Sequence, residues 1–191
     1  MSDHDAIRTR ILDAAEQLFY ARGIQAVGMD QLRTAAGVSL KRLYGTFPAK
    51  HDLVEAYLRR RDARWRAALA AFVDAHAATP TARVLAVFDW LATWFAAPDF
   101  RGCAFLNAHG ELGATSDAIA RIARDHKQAL HAYLTDLVRP LNPLPPAALA
   151  DQLALLIEGA ITTAALTGTP APAHTARKTA EALVRAAVSS A

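Results

Sequence analysis

Apolar residues recur at every third or fourth position along nearly the whole chain, and no segment keeps the period of two that a half-buried strand requires. The pattern predicts nine helices and an all-α fold. The first runs from about Asp5 to Ala21, with Ile7, Ile11, Leu12, Ala15, Leu18 and Phe19 on one side, and Gly23 stops it. Two short helices follow between Met29 and Gly45, and then a long one from Ala49 to about Ala78. At about 1.5 Å per residue that long helix extends roughly 40 Å, enough to leave one domain and enter another. Its central run Arg59, Arg60, Arg61, Asp62, Arg64, Arg66 reads as a solvated stretch between two cores. Beyond Thr79-Pro80, helices are predicted over Thr81–Ala97, Cys103–Leu112, Ser116–Val138, Pro146–Leu166 and Pro172–Val188. Ser116 caps one of them, Pro146 suits a first turn, and RPLNPLPP (139–146) is a Pro-rich connection. The division expected from this is a three-helix domain over 1–48 and a six-helix domain over 49–191.

The segment from Met29 to Lys50, MDQLRTAAGVSLKRLYGTFPAK, carries the most specific pattern. Leu32, Ala35 and Ala36 give its first helix an apolar face, and Gly37 can adopt the positive φ that ends a helix without a Cβ penalty. Ser39 offers an oxygen to cap the next helix, which turns Leu43 inward and leaves Leu40, Lys41, Arg42 and Gly45 on its outer side. Two helices joined by a tight turn, with cations on the second, are the build of a major-groove reader.

Charge agrees with that placement. The net charge is only +3, yet residues 1–66 hold 12 Lys/Arg against 8 Asp/Glu while residues 67–191 hold 9 against 10. The basic excess therefore lies where a phosphate footprint would need it. The 53% apolar composition is ample for a core, and no uninterrupted apolar run reaches bilayer length, so no membrane association is expected. The start MSDHDAIRTR has acidic residues and no apolar segment, which does not read as a secretory signal, and a cytoplasmic location is expected. The single Cys103 cannot form an internal disulfide, in keeping with a reducing compartment. The seven His are scattered, and no catalytic nucleophile motif or Gly-rich phosphate loop occurs, so neither a metal, a cofactor nor an enzymatic activity is expected.

The block from Thr9 to Trp65 resembles the DNA-binding end of the tetracycline-repressor (TetR) family of transcription regulators. ILDAAEQLFYARG and MDQLRTAAGVSLKRLYGTFPAKHDLVEAYL carry the resemblance, and RGCAFLNAHGEL is similar to a later segment of some members. Gly28 stands where a hydroxyl cap usually opens the second helix, and Gly45 and Thr46 replace larger polar residues. The resemblance implies a homodimeric, all-helical repressor with an N-terminal helix-turn-helix domain and a C-terminal ligand-binding and dimerisation domain. It implies that effector binding moves the long linking helix and changes the spacing of the two reader heads on a palindromic operator in double-stranded DNA. Carried over by position, Tyr44, Thr46 and Lys50 match phosphate-holding residues of the family. Their chemistry suits that role, a phenol, a hydroxyl and a flexible cation. Lys41 and Arg42 face the groove and can reach guanine O6/N7, Ser39 caps the reader helix, and Arg33 reaches backbone or base. Arg8 and Arg10 are candidates for flanking phosphates.

In the C-terminal part, sparse polar groups interrupt apolar faces, the composition of a pocket with a few orienting groups. The stripe Ile119, Ile122, His126, Leu130, Tyr133, Leu137 puts His126 on an inward face, as ligand donor or as satisfied core histidine. Trp94, Cys103, Asn107, His126 and Tyr133 are the candidate effector contacts, and a small hydrophobic or aromatic effector is expected. Trp90, Trp94, Phe95 and Phe105 read more simply as packing, and Asn107 and Glu111, four apart on one short helix, either point into a cavity or support it. Cys103, after Arg101-Gly102 at a predicted helix start, suits either inert packing or an electrophile- or oxidant-sensing thiol. The last two helices have small apolar faces, including Gly159, Ala160 and Ala164, which suits a homodimer through a four-helix bundle of two copies. The competing readings are a ligand-independent DNA binder and a helical enzyme or carrier.

Overall fold

The computed structural model describes residues 3–142 and 145–189. Pro143 and Leu144 of the predicted Pro-rich connection lie outside them. The described residues form α1 (Asp3–Arg22), α2 (Met29–Ala36), α3 (Leu40–Thr46), α4 (Lys50–His76), α5 (Pro80–Phe95), α6 (Ala104–Leu112), α7 (Asp117–Val138), α8 (Pro146–Thr167) and α9 (Ala171–Ser189), with no strand among them. A 3-10 turn at Arg139–Leu141, not expected from the periodicity, extends α7 and ends at Asn142 in the left-handed region.

The helix ends follow local chemistry. Gly37 takes φ 61° and its N–H bonds back to α2, ending that helix. Ser39 Oγ accepts the Arg42 N–H at 3.3 Å, Thr79 Oγ1 the Ala82 N–H at 3.3 Å, and Ser116 Oγ the Ile119 N–H at 3.4 Å. At α2, Gly28 supplies no side-chain cap; instead Gln31 Oε1 reaches back to the Gly28 N–H at 2.9 Å. Gly168 closes α8 at φ 69°.

Two compact units result. The first takes the chain through Arg64 and adds Ala104–Arg124; the second takes Trp65–Cys103 and the chain from Asp125 onward. These units cut across the expected boundary at 48/49: the first half of α4 and all of α6 belong with the three N-terminal helices. In the first unit α2 and α3 pack on α1, burying Ile11, Ala15, Phe19, Leu32, Leu43 and Phe47, with Leu53, Tyr57 and Leu58 from α4. In the second, α9 packs on both α5 and α8, burying Phe88, Leu91, Leu153, Ile157, Ala180 and Val184.

Two expectations change here. The Arg59–Arg66 stretch is not simply solvated. Arg60 and Arg61 are largely covered, and Glu16 of α1 accepts from Arg60, Arg61 and Arg64 at 3.0, 3.0 and 3.1 Å. Asp13 adds a 2.9 Å pair with Arg60, and the Arg61 guanidinium lies 3.7 Å from the centroid of Tyr20. The cations alternate with helical period, so one face of α4 meets the acids one turn apart on α1. Second, α8 is long and apolar enough by composition to cross a membrane, although no unbroken apolar run announces it. Its buried face, Leu149 to Ala164, packs against α9 and α5, which explains part of that apolarity without a bilayer.

Candidate nucleic-acid interface and effector region

Leu43, fully buried, pins α3 to the head, so the opposite side of the helix is turned outward. Lys41 and Arg42 are exposed there, together with Tyr44 at 43% and Leu40 at 51% exposure. Among the described residues the Arg42 guanidinium has one ion pair, a long 3.6 Å contact with the well-exposed Asp3, which leaves it available to a stronger anion. Arg33 pairs with Asp30 at 2.8 Å on α2. Ser39 spends an oxygen lone pair on the cap, and its hydrogen remains to donate.

The remaining expected contacts are engaged within the head. Thr46 Oγ1 donates to the Arg42 carbonyl at 2.8 Å, so in this conformation its hydrogen is not offered to a phosphate. Lys50 is half-buried, its ammonium 5.9 Å from the centroid of Phe19. Burial holds its pKa below the ordinary value, with the Glu111 carboxylate opposing that shift. Arg8 stacks 4.7 Å from the centroid of Phe47. Arg10 donates to the carbonyls of Ala36 and Gly37 at 2.7 and 2.6 Å, satisfying the C-terminal end of α2 rather than a flanking phosphate. The structure thus gathers Ser39, Lys41, Arg42 and Tyr44 on one exposed helix and turns Thr46, Lys50 and Arg10 to internal partners.

Glu111 is a residue whose role the sequence left open between cavity and support. From the last turn of α6 its carboxylate accepts the Ile24 and Gln25 N–H groups at 3.0 and 2.7 Å, while Gln25 Nε2 donates to the Glu111 carbonyl at 2.5 Å. These bonds grip the turn that leads into α2. Gly23 precedes it at φ 88°, where an added Cβ would also meet the Glu111 carboxylate at 3.2 Å. No local signal announces a partner 86 residues away in sequence.

The candidate effector residues separate. Trp94 and His126 share one aromatic cluster in the second unit: the Trp65 ring lies 4.9 Å from Trp90, 5.6 Å from Trp94 and 5.2 Å from His126, and Phe100 lies 5.0 Å from Trp94. His126 is buried, and Trp65 comes from α4, the helix that continues into the head unit. Tyr133 is half-buried, and its hydroxyl is covered with no hydrogen-bond partner among the described residues. Burial raises its pKa, with Arg83 opposing and Asp74 adding to the shift. Cys103 is buried, and Lys127 is a cation beside it, its Nζ 3.3 Å from Sγ and 2.6 Å from Glu158. Asn107 belongs to the first unit, where with Phe19, Tyr20, Tyr57 and Glu111 it lines a cavity of about 410 Å³. On α8 and α9 an open apolar groove of about 470 Å³ is lined by Leu155, Gly159, Thr163, Ala176 and Thr179. Among the described residues no group of three or more His, Cys, Asp or Glu is placed to hold a metal ion.

Comparison with known proteins places this arrangement. Residues 11–57 match the bacterial regulatory proteins of the tetR family, and residues 80–180 match the tetracyclin repressor-like C-terminal domain. The chain is similar over 96% of its length to SCO4454, a TetR-family transcriptional regulator from Streptomyces coelicolor, at 30% identity, covering 97% of that chain with a TM-score of 0.89. The chain belongs to the TetR family. A putative TetR transcriptional regulator from Streptomyces avermitilis is 31% identical over 95% of this chain and 97% of its own, with a TM-score of 0.80. Curated relatives match the head alone. An uncharacterised HTH-type regulator of Mycobacterium tuberculosis is 44% identical over 55 residues, and the HTH-type transcriptional activator FasR of Mycolicibacterium smegmatis is 43% identical over 56. Those alignments cover 29% of this chain and only 27% and 26% of the two relatives. This chain is accordingly a TetR-family transcriptional regulator with a DNA-binding helix-turn-helix, and its relatives are regulators rather than enzymes.

Proposed function

We propose that this TetR-family chain acts in the cytoplasm as a homodimeric repressor, released from a palindromic operator by a small hydrophobic or aromatic effector, and has no catalytic activity. The observation that carries the DNA half is the outward face of α3, where Lys41, Arg42 and Tyr44 stand exposed while Leu43 anchors the helix from behind. Lys41 and Arg42 supply base-edge and phosphate contacts, Tyr44 and Ser39 supply phosphate contacts, and Arg33 joins them when its pair with Asp30 opens. Thr46 and Lys50 reach phosphates only after leaving the internal partners described above.

The effector half rests on the Trp65–Trp94–His126 cluster. Trp65 lies on α4, so an aromatic guest wedged among these rings displaces the helix that carries the head. Tyr133 and Cys103 are further proposed effector contacts of the second unit, and Asn107 is a proposed contact for a guest of the first unit's own cavity. The functional division remains DNA binding over 1–48 and effector binding with dimerisation over 49–191. For dimerisation, α8 presents Leu155, which lines the α8–α9 groove, at 74% exposure and Leu166 at 83%, apolar surface of the kind a second copy covers.

Selecting bound duplexes from a random pool with the full-length protein tests the reading. A palindrome with half-sites about one helical turn apart supports it, and candidate aromatic effectors then release the complex. Absence of sequence preference at low ionic strength refutes it. A second reading, release by thiol modification, has one observation in its favour: Lys127 Nζ lies 3.3 Å from the Cys103 sulfur, where it would pair with a thiolate. Stoichiometric alkylation by a small maleimide that leaves operator affinity unchanged removes it.

A further inference from the structure

The outward face of α3 holds a residue that neither charge nor packing accounts for. Leu40, the first residue of the helix, is 51% exposed, whereas Leu32, Val38, Leu43 and Phe47 around it are all buried. Single exposed leucines are common on protein surfaces. This one stands beside Lys41 and one helical turn before Tyr44, the other large hydrophobic side chain exposed on the helix. Five residues beyond Leu40, Gly45 stands on the side of α3 opposite Leu43. A Cβ built there meets nothing within 4 Å, and its φ is not in the left-handed region. The fold therefore does not require a glycine, and its bare backbone opens room on this face.

In the major groove the one apolar group on any base edge is the C5 methyl of thymine, and the first residues of a reader helix lie nearest the base edges. We propose that Leu40 is a specificity residue that reads a thymine through its methyl group, the gap at Gly45 allowing α3 to approach closely enough. The inference rests on the DNA-reading role of α3. Leu40 contributes discrimination between thymine and cytosine-containing pairs, while Lys41 and Arg42 supply the ionic affinity.

The test removes the methyl alone. In the operator obtained by selection, each thymine is replaced in turn by deoxyuridine. Affinity is then measured by fluorescence anisotropy with full-length wild type, Leu40→Ala and Leu40→Val. For wild type, one thymine position per half-site is expected to lose about fourfold on demethylation, the size expected from burying one methyl group. Leu40→Ala is expected to bind the thymine and deoxyuridine duplexes equally at that position, while Leu40→Val keeps part of the difference. An unchanged circular dichroism spectrum and an unchanged salt slope show that the variants fold and hold phosphates as wild type does. A wild type insensitive to every demethylation, or a methyl dependence that survives in Leu40→Ala, overturns the role of Leu40 while leaving DNA reading intact. Wild type that binds no duplex overturns both.

Discussion

Replacing Glu111 with Ala separates the grip of α6 on the reader head from every other contact of that helix. The carboxylate accepts two backbone N–H groups, Ile24 at 3.0 Å and Gln25 at 2.7 Å, the first part-buried and the second open to solvent. Hydrogen bonds to a charged acceptor contribute about 1.5–3 kcal/mol each where water is excluded. Water replaces the Gln25 bond at little cost, so most of the loss falls on Ile24, and about 2 kcal/mol for local opening is the reasonable sum. At 1.4 kcal/mol per factor of ten, the Ile24 and Gln25 amides should exchange about 30-fold faster with deuterium. Amides in the middle of α8, whose buried face packs on other helices of the second unit, should keep their protection. Glu111→Gln retains one acceptor and should fall between. Because the turn at Ile24–Gln25 leads directly into α2, loosening it also broadens the positions α3 samples, and operator affinity should fall without any change in contacts to DNA. Unchanged protection at both amides would refute the grip as a stabilising element.

Three further outcomes follow from the geometry. Glu16→Ala leaves Arg60, Arg61 and Arg64 facing one another with only Asp13, and should destabilise the first unit by about 2 kcal/mol, less than a fully buried pair because Glu16 is one-quarter exposed; denaturant midpoints measure it. Tyr133→Phe removes a covered hydroxyl that has no partner, so stability at neutral pH should stay level or rise by up to about 1 kcal/mol. Folded Tyr133 keeps its proton above 10.0 while the unfolded chain releases it, so wild-type stability should fall as pH rises past that value, and the Phe variant should lack that part of the decline in thermal melts. Gly45→Ala relieves a helical glycine and should raise stability by about 0.5–1 kcal/mol, yet weaken operator binding because the new methyl stands in the open space facing the groove. Equal or tighter binding by that variant would show that nothing approaches there.

Local chemistry was legible in the sequence. The 3.6-residue periodicity, the caps at Ser39 and Ser116, and the left-handed glycine at position 37 depend on neighbours within a turn or two, so nine helices emerged with ends close to those observed. Leu43 inward and Lys41 and Arg42 outward on α3 are consequences of the same spacing. Tertiary structure alone decided which cations stay available. Arg10 finds the carbonyls of residues 36 and 37, Glu16 gathers arginines from 44 to 48 positions away, and Glu111 reaches back 87 and 86 positions to Ile24 and Gln25. Assignment of α6 to the head unit, and of Lys127 to the side of Cys103, belongs to the same class. The physical reason is common to them. A cap or an apolar stripe is specified by residues that remain neighbours in any helix, whereas an ion pair between distant segments exists only once packing has carried both partners to the same place.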